Sequence, residues 1–162
     1  MSEIVSAASQ DDLPATVGET LTFRTRLSDA EIPAFATSVH DHNPLHHDLE
    51  AALAAGYRGL IASGTQLGSI WMAMTATHFA KPGANGSPRS GVGMGFEIRF
   101  RAPVYANEDI ALRWTVTGVE RKESLNGWIT RLEGDARAGE TLLLSGTGTL
   151  LLRLPKPGWP AP

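Results

Sequence analysis

Cysteine is absent from the 162-residue chain, and no apolar stretch is long enough to cross a bilayer. Without cysteine, neither a disulfide framework nor a thiolate metal site or nucleophile is possible. A transmembrane helix needs about 20 consecutive apolar residues, which the sequence nowhere supplies. Residues 1–5 also lack the basic and apolar regions of a secretory signal, so we expect a cytoplasmic protein.

Basic charge is scarce as well. The formal net charge is −3 at pH 7, from 14 Lys and Arg against 17 Asp and Glu. This balance excludes the basic footprint of a nucleic-acid-binding protein, and a phosphorylated ligand would need a local cluster of Arg or Lys. What remains is an ordinary globular composition, 42% hydrophobic and 19% charged, at a length that suits one domain. We predict a loose arm at residues 1–14, a domain at 15–154 and a proline-rich tail at 155–162.

The first half of the domain has mainly helical patterns. A strand is expected at residues 20–27, and the sequence from Ser28 to Glu31 then has the form of a capping box. Apolar residues at i, i+3, i+4 and i+7 predict a helix over residues 29–39. Asp48 is suited to cap a second, short helix.

A third helix and a set of strands follow. Residues 64–79 are apolar nearly all round, which predicts a helix buried in the middle of the domain. Residues 96–100 and 110–116 alternate between apolar and polar side chains, as strands with one buried face do. Residues 142–154 are apolar with little alternation, as expected of a strand covered on both faces. The sequence therefore predicts one α+β domain, in which a meander of long antiparallel strands surrounds one buried helix.

The segment at residues 38–48 concentrates titratable side chains, including four of the five histidines. Pro44 disfavours helical geometry at Asn43, so this segment is predicted to be a loop. A polar surface loop is one interpretation, since turn-forming residues collect in such loops. A metal site is a second, although the spacing matches no zinc template. Its candidate ligands are His40, His42, His46, His47, Asp41 and Asp48.

Metal-free acid–base catalysis by Asp41 and His46 is the third interpretation. A loop stiffened by Pro44 can hold both side chains towards one point. Groups with unperturbed pKa values near 4 and 6.5 can share a water, one taking its proton and the other giving a proton to carbon. Each positioned group typically contributes about 10² to 10⁴ in rate.

The sequence Asp41-His42-Asn43-Pro44-Leu45-His46 resembles the hydratase motif of the MaoC-like dehydratases, the family of R-specific enoyl-CoA hydratases. Two further blocks follow in the order that this family has. Residues 56–64 are similar to the run that leads into its central helix, and residues 93–104 are similar to its second strand, where arginine, an aromatic residue and Pro-Val recur. The resemblance spans about residues 20–154.

The resemblance implies a hot-dog fold, in which a curved antiparallel sheet wraps a long central helix. It implies that Asp41 and His46 activate one water for syn addition across a 2-enoyl thioester. Asn43 would hold the loop, and Gly64 would offer its backbone N–H to the thioester oxygen. Coenzyme A is expected as part of the substrate, with no separate cofactor and no metal. A homodimer or a dimer of dimers is implied, with substrate bound near the subunit interface.

The role of Gly64 as a donor to the thioester oxygen is also supported by a physical argument independent of the resemblance. Exchange of the α-proton of a thioester passes through an enolate-like state, with negative charge on the carbonyl oxygen. The N-terminus of a buried helix presents unpaired N–H groups and about half a positive charge, and glycine lets a ligand approach the backbone closely. The alternative is that Gly64 merely begins the helix after an N-cap at Ser63. Many members of the family carry histidine in place of Ser63, a departure expected to alter the pocket or the cap.

Ser63, Trp71 and Arg99 are further candidates for substrate contact. Trp71 either lines an acyl pocket or packs in the core, and Arg99 either meets coenzyme A phosphates or lies on a solvated face. Three functions remain open: a hydratase or dehydratase acting on acyl-CoA or acyl carrier protein, a hot-dog thioesterase, and a non-catalytic acyl-binding module. The joint presence of Asp41 and His46 favours hydration.

Overall fold

The computed structural model describes residues 13–83 and 86–154. The predicted tail at residues 155–162 and most of the predicted arm lie outside these residues. Pro14, the last residue of that arm, is buried, and its carbonyl accepts a hydrogen bond of 2.8 Å from Nη1 of Arg89. Packing against the domain therefore begins no later than Pro14, one residue ahead of the predicted boundary. Among the described residues, no helix is long and apolar enough to span a membrane.

In the described part of the chain, three α-helices follow the first strand in sequence: α1 (Glu31–Ser38), α2 (Leu49–Ala54) and α3 (Gly64–Phe79). The capping box before α1 is confirmed, because the backbone N–H of Ser28 donates to Glu31 at 2.8 Å and Glu31 N–H donates back at 3.3 Å. Asp48 caps α2 as predicted, accepting hydrogen bonds from two backbone N–H groups. Each cap joins residues that are two or three positions apart, so the starts of α1 and α2 could be predicted from short segments of the sequence.

Within residues 13–83 and 86–154, five strands form a single antiparallel sheet in the order β1-β3-β4-β5-β2. Their bounds are β1 (Thr20–Thr25), β2 (Ser90–Phe100), β3 (Ile110–Lys122), β4 (Gly127–Ala138) and β5 (Thr141–Arg153). The predicted meander is correct for β3 to β5 but wrong for β2, which pairs with β5 rather than with β3. Alternation shows which face a strand buries, and it carries no information about the neighbour with which the strand pairs.

The core lies between α3 and the sheet. Leu67, Trp71 and Phe79 of α3 are fully buried, and the indole of Trp71 stacks on Trp114 of β3 with ring centroids 3.9 Å apart. The apolar residues of β3 that alternate in the sequence, Trp114 among them, are buried as predicted. This packing fixes the long axis of α3 against the sheet and so fixes the position of its first residue, Gly64.

The opposite side of α3 differs from the prediction of burial all round. Ser69, Ala73 and Ala76 are exposed, because the sheet of one chain covers only one face of the helix. These exposed positions carry small side chains. The helix is therefore buried on one face only within a single chain.

Candidate active site

The end of α1 sets the position of Asp41. His40 has a left-handed backbone with φ of 58°. The N–H of Asp41 donates to the carbonyl of Ala36 at 2.8 Å, and the N–H of His40 donates to Thr37 at 3.1 Å. This pair of bonds is the Schellman arrangement that closes many helices. It turns the chain sharply at His40 and directs Asp41 away from the helix axis.

Asn43 holds the loop between the two candidate catalytic residues. Its side-chain Oδ1 accepts a hydrogen bond of 3.1 Å from the N–H of Leu45 and so caps a short 3₁₀ turn, Pro44–His46. Its own N–H donates to Oδ1 of Asp41 at 3.1 Å. Asn43 therefore links the carboxylate of Asp41 to the turn that carries His46.

His46 is 7% exposed and is oriented by the backbone of Ile61. Its Nδ1–H donates to the Ile61 carbonyl at 2.7 Å, while the Ile61 N–H donates to the carbonyl of Leu45 at 3.2 Å. The other ring nitrogen, Nε2, lies 3.3 Å from Oδ2 of Asp41. The structure thus brings the predicted pair together, with one ring nitrogen anchored and the other facing the carboxylate.

Hydrogen bonding favours the ionised form of Asp41. The N–H of Asn43 lowers the pKa of this carboxyl below its ordinary value; the charge of His46 and a hydrogen bond from the Ser63 side chain act in the same direction, against partial desolvation. The backbone carbonyl of Asp41 is also held, because Nε2–H of His47 donates to it at 2.7 Å. Both the carboxylate and the backbone carbonyl of Asp41 therefore accept hydrogen bonds within the loop.

The N-terminus of α3 lies beside this pair. Ser63 occupies the N-cap position but makes no capping bond with its side chain, and its hydroxyl shares a hydrogen bond of 2.8 Å with that of Thr65. Within residues 13–83 and 86–154, the N–H of Gly64 has no hydrogen-bond acceptor. The helix therefore begins with an unpaired donor at the positive end of its dipole.

A groove of about 400 Å³ opens over this helix start. Its lining includes His46, Tyr57, Ser63, Gly64, Phe100 and Arg101. Asp41 adjoins the groove through its contact with Nε2 of His46. His46 and the free N–H of Gly64 therefore lie in one concave surface, with Asp41 beside it.

Two of the predicted substrate contacts lie elsewhere. Trp71 is completely buried and its indole N–H donates to the carbonyl of Arg113, so it is a core residue with no surface for a ligand. Arg99 lies on the outer face of the sheet, where its guanidinium binds Glu97 at 2.6 Å, and it does not line the groove. In the described part of the chain, no three His, Cys, Asp or Glu side chains form a cluster that could hold a metal ion.

The structure also gives roles that sequence reasoning did not assign. The backbone carbonyls of Ile61 and Asp41 accept hydrogen bonds from the side chains of His46 and His47, and the left-handed backbone of His40 turns the chain. Backbone groups of this kind leave no signal in a sequence. Phe100 closes one side of the groove. An aromatic residue within residues 93–104 was the available signal for this position. The alternation of the strand, however, predicted that Phe100 would be buried in the core.

Known proteins with similar sequences and folds agree with this architecture. A mitochondrial 3-hydroxyacyl-[acyl-carrier-protein] dehydratase from Arabidopsis thaliana is 29% identical over 138 residues, 84% of this chain and 76% of that protein. An (R)-specific enoyl-CoA hydratase from Aeromonas caviae is 25% identical over 139 residues, 86% of this chain and 95% of that protein.

Solved structures show the same fold. The (R)-hydratase from A. caviae involved in PHA biosynthesis superposes with a TM-score of 0.71 at 24% identity, over 87% of this chain and 98% of that one. The ChsH1-ChsH2 complex from Mycobacterium tuberculosis gives 0.71 at 19% identity, over 85% and 98%. The fold is the hot-dog fold, as the sequence resemblance implied. The family model described as "MaoC like domain" matches residues 12–134, and the chain belongs to this family.

Proposed function

We propose that this protein interconverts a 2-enoyl thioester and the corresponding (R)-3-hydroxyacyl thioester by syn addition or removal of water. The observation that carries the proposal is the 3.3 Å contact between Nε2 of His46 and Oδ2 of Asp41, next to the unpaired N–H of Gly64. Membership of a family with dehydratase and hydratase relatives supports it. Coenzyme A is the proposed carrier of the acyl group and enters only as part of the substrate.

The pair divides the proton transfers. Nδ1 of His46 donates to Ile61, so Nε2 is the ring atom that exchanges a proton with the substrate. As the water oxygen bonds to C3, the carboxylate of Asp41 accepts the water proton. Nε2–H of His46 then gives a proton to C2. The proton on Asp41 then returns to His46 across their contact. One water is consumed, and both residues regain their starting states.

Gly64 has the proposed role of stabilising the charge that forms between these steps. Attack at C3 moves the electron pair of the double bond towards the thioester oxygen, which becomes enolate-like. A backbone N–H placed at that oxygen is worth about 2.7–4 kcal/mol in comparable oxyanion sites. Ser63 supports this role because its hydroxyl binds Thr65 and leaves the helix N-terminus free.

A homodimer, with further pairing of dimers as an option, is the proposed assembly. Strand β2 is an edge of the sheet, and Val92 and Met94 on it are exposed. A long edge strand with exposed apolar side chains is a template for pairing with another chain. Sedimentation equilibrium tests this assembly: a dimer is expected, and a monomer at micromolar concentration would contradict it.

Crotonyl-CoA tests the reaction itself. Loss of the conjugated double bond and release of free thiol are followed separately, with the wild type, Asp41→Asn and His46→Gln. Hydration predicts loss of the double bond without thiol, abolished in both folded variants. Release of thiol that persists in both variants would instead indicate a thioesterase, and binding without turnover would indicate an acyl-binding module.

The carrier is tested by comparing crotonyl-CoA with crotonyl-acyl carrier protein. The proposal expects the higher kcat/KM with crotonyl-CoA. A preference for the carrier protein would leave the chemistry intact and replace the proposed substrate.

A further inference from the structure

Phe100 stands directly beside the proposed oxyanion donor. A Cβ atom built on Gly64 would lie 2.5 Å from Cε1 and 2.6 Å from Cδ1 of the Phe100 ring. Carbon atoms in contact are normally about 3.5–4.0 Å apart, so the ring occupies the space that any side chain at position 64 would need. The ring also lines the groove and is 59% exposed within the single chain.

A ligand that approaches Gly64 through this groove therefore has the Phe100 ring beside it. A thioester oxygen that accepts a hydrogen bond from the Gly64 N–H lies about 2.9 Å from that nitrogen. The α-carbon, C2, is bonded to the carbonyl carbon and lies two bonds from this oxygen. It is therefore held close to Gly64 as well. Phe100 is the large apolar side chain beside Gly64 in the groove lining. In the proposed binding mode, substituents on C2 lie in the part of the groove where Phe100 is the side chain nearest to Gly64.

We propose that Phe100 determines specificity at C2, admitting 2-enoyl thioesters with hydrogen there and excluding those with a 2-methyl branch. This inference rests on the proposed hydration reaction and names the substrate class of the same site. A methyl group on C2 has to displace the ring from its contact with Gly64. One additional methyl or methylene group in a packed apolar site typically changes kcat/KM by about 10- to 200-fold.

The experiment compares crotonyl-CoA with 2-methylcrotonyl-CoA. Wild-type protein is expected to favour crotonyl-CoA by about 10- to 200-fold in kcat/KM. Phe100→Ala is expected to reduce this ratio at least about tenfold, mainly by raising the rate with the branched substrate. Phe100→Leu, which keeps most of the apolar volume, should give an intermediate ratio. Circular dichroism and sedimentation confirm that each variant has the wild-type fold and assembly.

Phe23 supplies the matched control. It is 50% exposed on β1, at the opposite edge of the sheet from β2, and lines a different groove. Phe23→Ala removes the same side chain from a similarly exposed position, and it should leave the substrate ratio unchanged.

The outcomes separate this inference from the reaction on which it rests. Equal kcat/KM for the two thioesters in the wild type, or an unchanged ratio in both Phe100 variants, overturns the role of Phe100 while hydration stands. A shift of the ratio in Phe23→Ala as large as in Phe100→Ala overturns it as well. No hydration of either thioester overturns the proposed function.

Discussion

A histidine paired with a carboxylate lies near each end of α3. At the N-terminal end, Nε2 of His46 lies 3.3 Å from Asp41. At the C-terminal end, Nε2 of His78 lies 2.6 Å from Oε1 of Glu19, and Nη1 of Arg89 contacts the same oxygen at 3.0 Å. The chemical groups are alike, but among the described residues an arginine contacts the carboxylate of the second pair and not that of the first.

The helix dipole explains the difference. The C-terminal end presents carbonyl oxygens and partial negative charge, which favours cations there. Arg89 is 4% exposed in its side chain and donates to the carbonyl of Lys81 at 2.9 Å, just past the helix end, as well as to Pro14. The N-terminal end presents N–H groups and favours negative charge, such as an enolate oxygen. We therefore propose that the pair at the N-terminus serves catalysis and that the pair at the C-terminus stabilises the fold.

The largest expected contrast is in catalysis. Asp41→Asn and His46→Gln should each lower kcat for crotonyl-CoA by about 10² to 10⁴, because each removes one proton-transfer group. Glu19→Gln and His78→Gln are equally conservative substitutions in the pair at the C-terminal end of α3. Both variants should retain the wild-type kcat. Rate assays on the four variants test this. A comparable loss of kcat in Glu19→Gln would mean that the two ends are not functionally distinct.

Gly64→Ala should lower kcat by about 10²-fold, since displacement of a reacting group by about 1 Å can cost that much. The added methyl meets the Phe100 ring and pushes it or the substrate aside. Part of the lost activity should return in the double variant with Phe100→Ala, where the ring is gone. Full activity of Gly64→Ala alone would contradict close approach of substrate to this residue.

Arg89→Met should destabilise the fold by about 1–3 kcal/mol, the cost of leaving buried acceptors without a donor. The unfolding free energy from urea titration measures the loss. Arg99→Met is the control, because Arg99 is exposed and its ion pair with Glu97 is worth about 0–1 kcal/mol. Equal losses in the two variants would show that the Arg89 network does not hold this end of the helix.

The pair at the C-terminal end of α3 should also make the stability of the fold depend on pH. Partial burial raises the pKa of Glu19, but hydrogen bonds from His78 and Arg89 outweigh it and leave the pKa below 4.5. The folded state therefore binds fewer protons than the unfolded state, and this stabilisation is present above pH 4.5 and is lost as the pH falls through the lowered value. Thermal melts should show that the wild type loses its advantage over Glu19→Gln below that pH. A constant advantage would contradict the assignment.

Much of the candidate site at the N-terminal end of α3 could be predicted from the sequence, because it is built from residues that are close together in the chain. The motif from Asp41 to His46 lies in six consecutive residues, and the start of α3 at Gly64 follows from the apolar pattern. The Arg89–Glu19 contact joins residues that are 70 positions apart, and Phe100 reaches Gly64 only because β2 packs beside α3. Such long-range contacts depend on strand order, which alternation leaves undetermined. For the same reason Trp71 was a candidate ligand contact, although it stacks on Trp114 in the core.

Hydration of crotonyl-CoA in D₂O, followed by NMR of the product, tests the central claim about Asp41 and His46 most directly. The account predicts (R)-3-hydroxybutyryl-CoA with one deuteron at C2, on the same face as the new hydroxyl, and no free thiol. A product of S configuration, deuterium on the opposite face, or release of coenzyme A in place of hydration would contradict it.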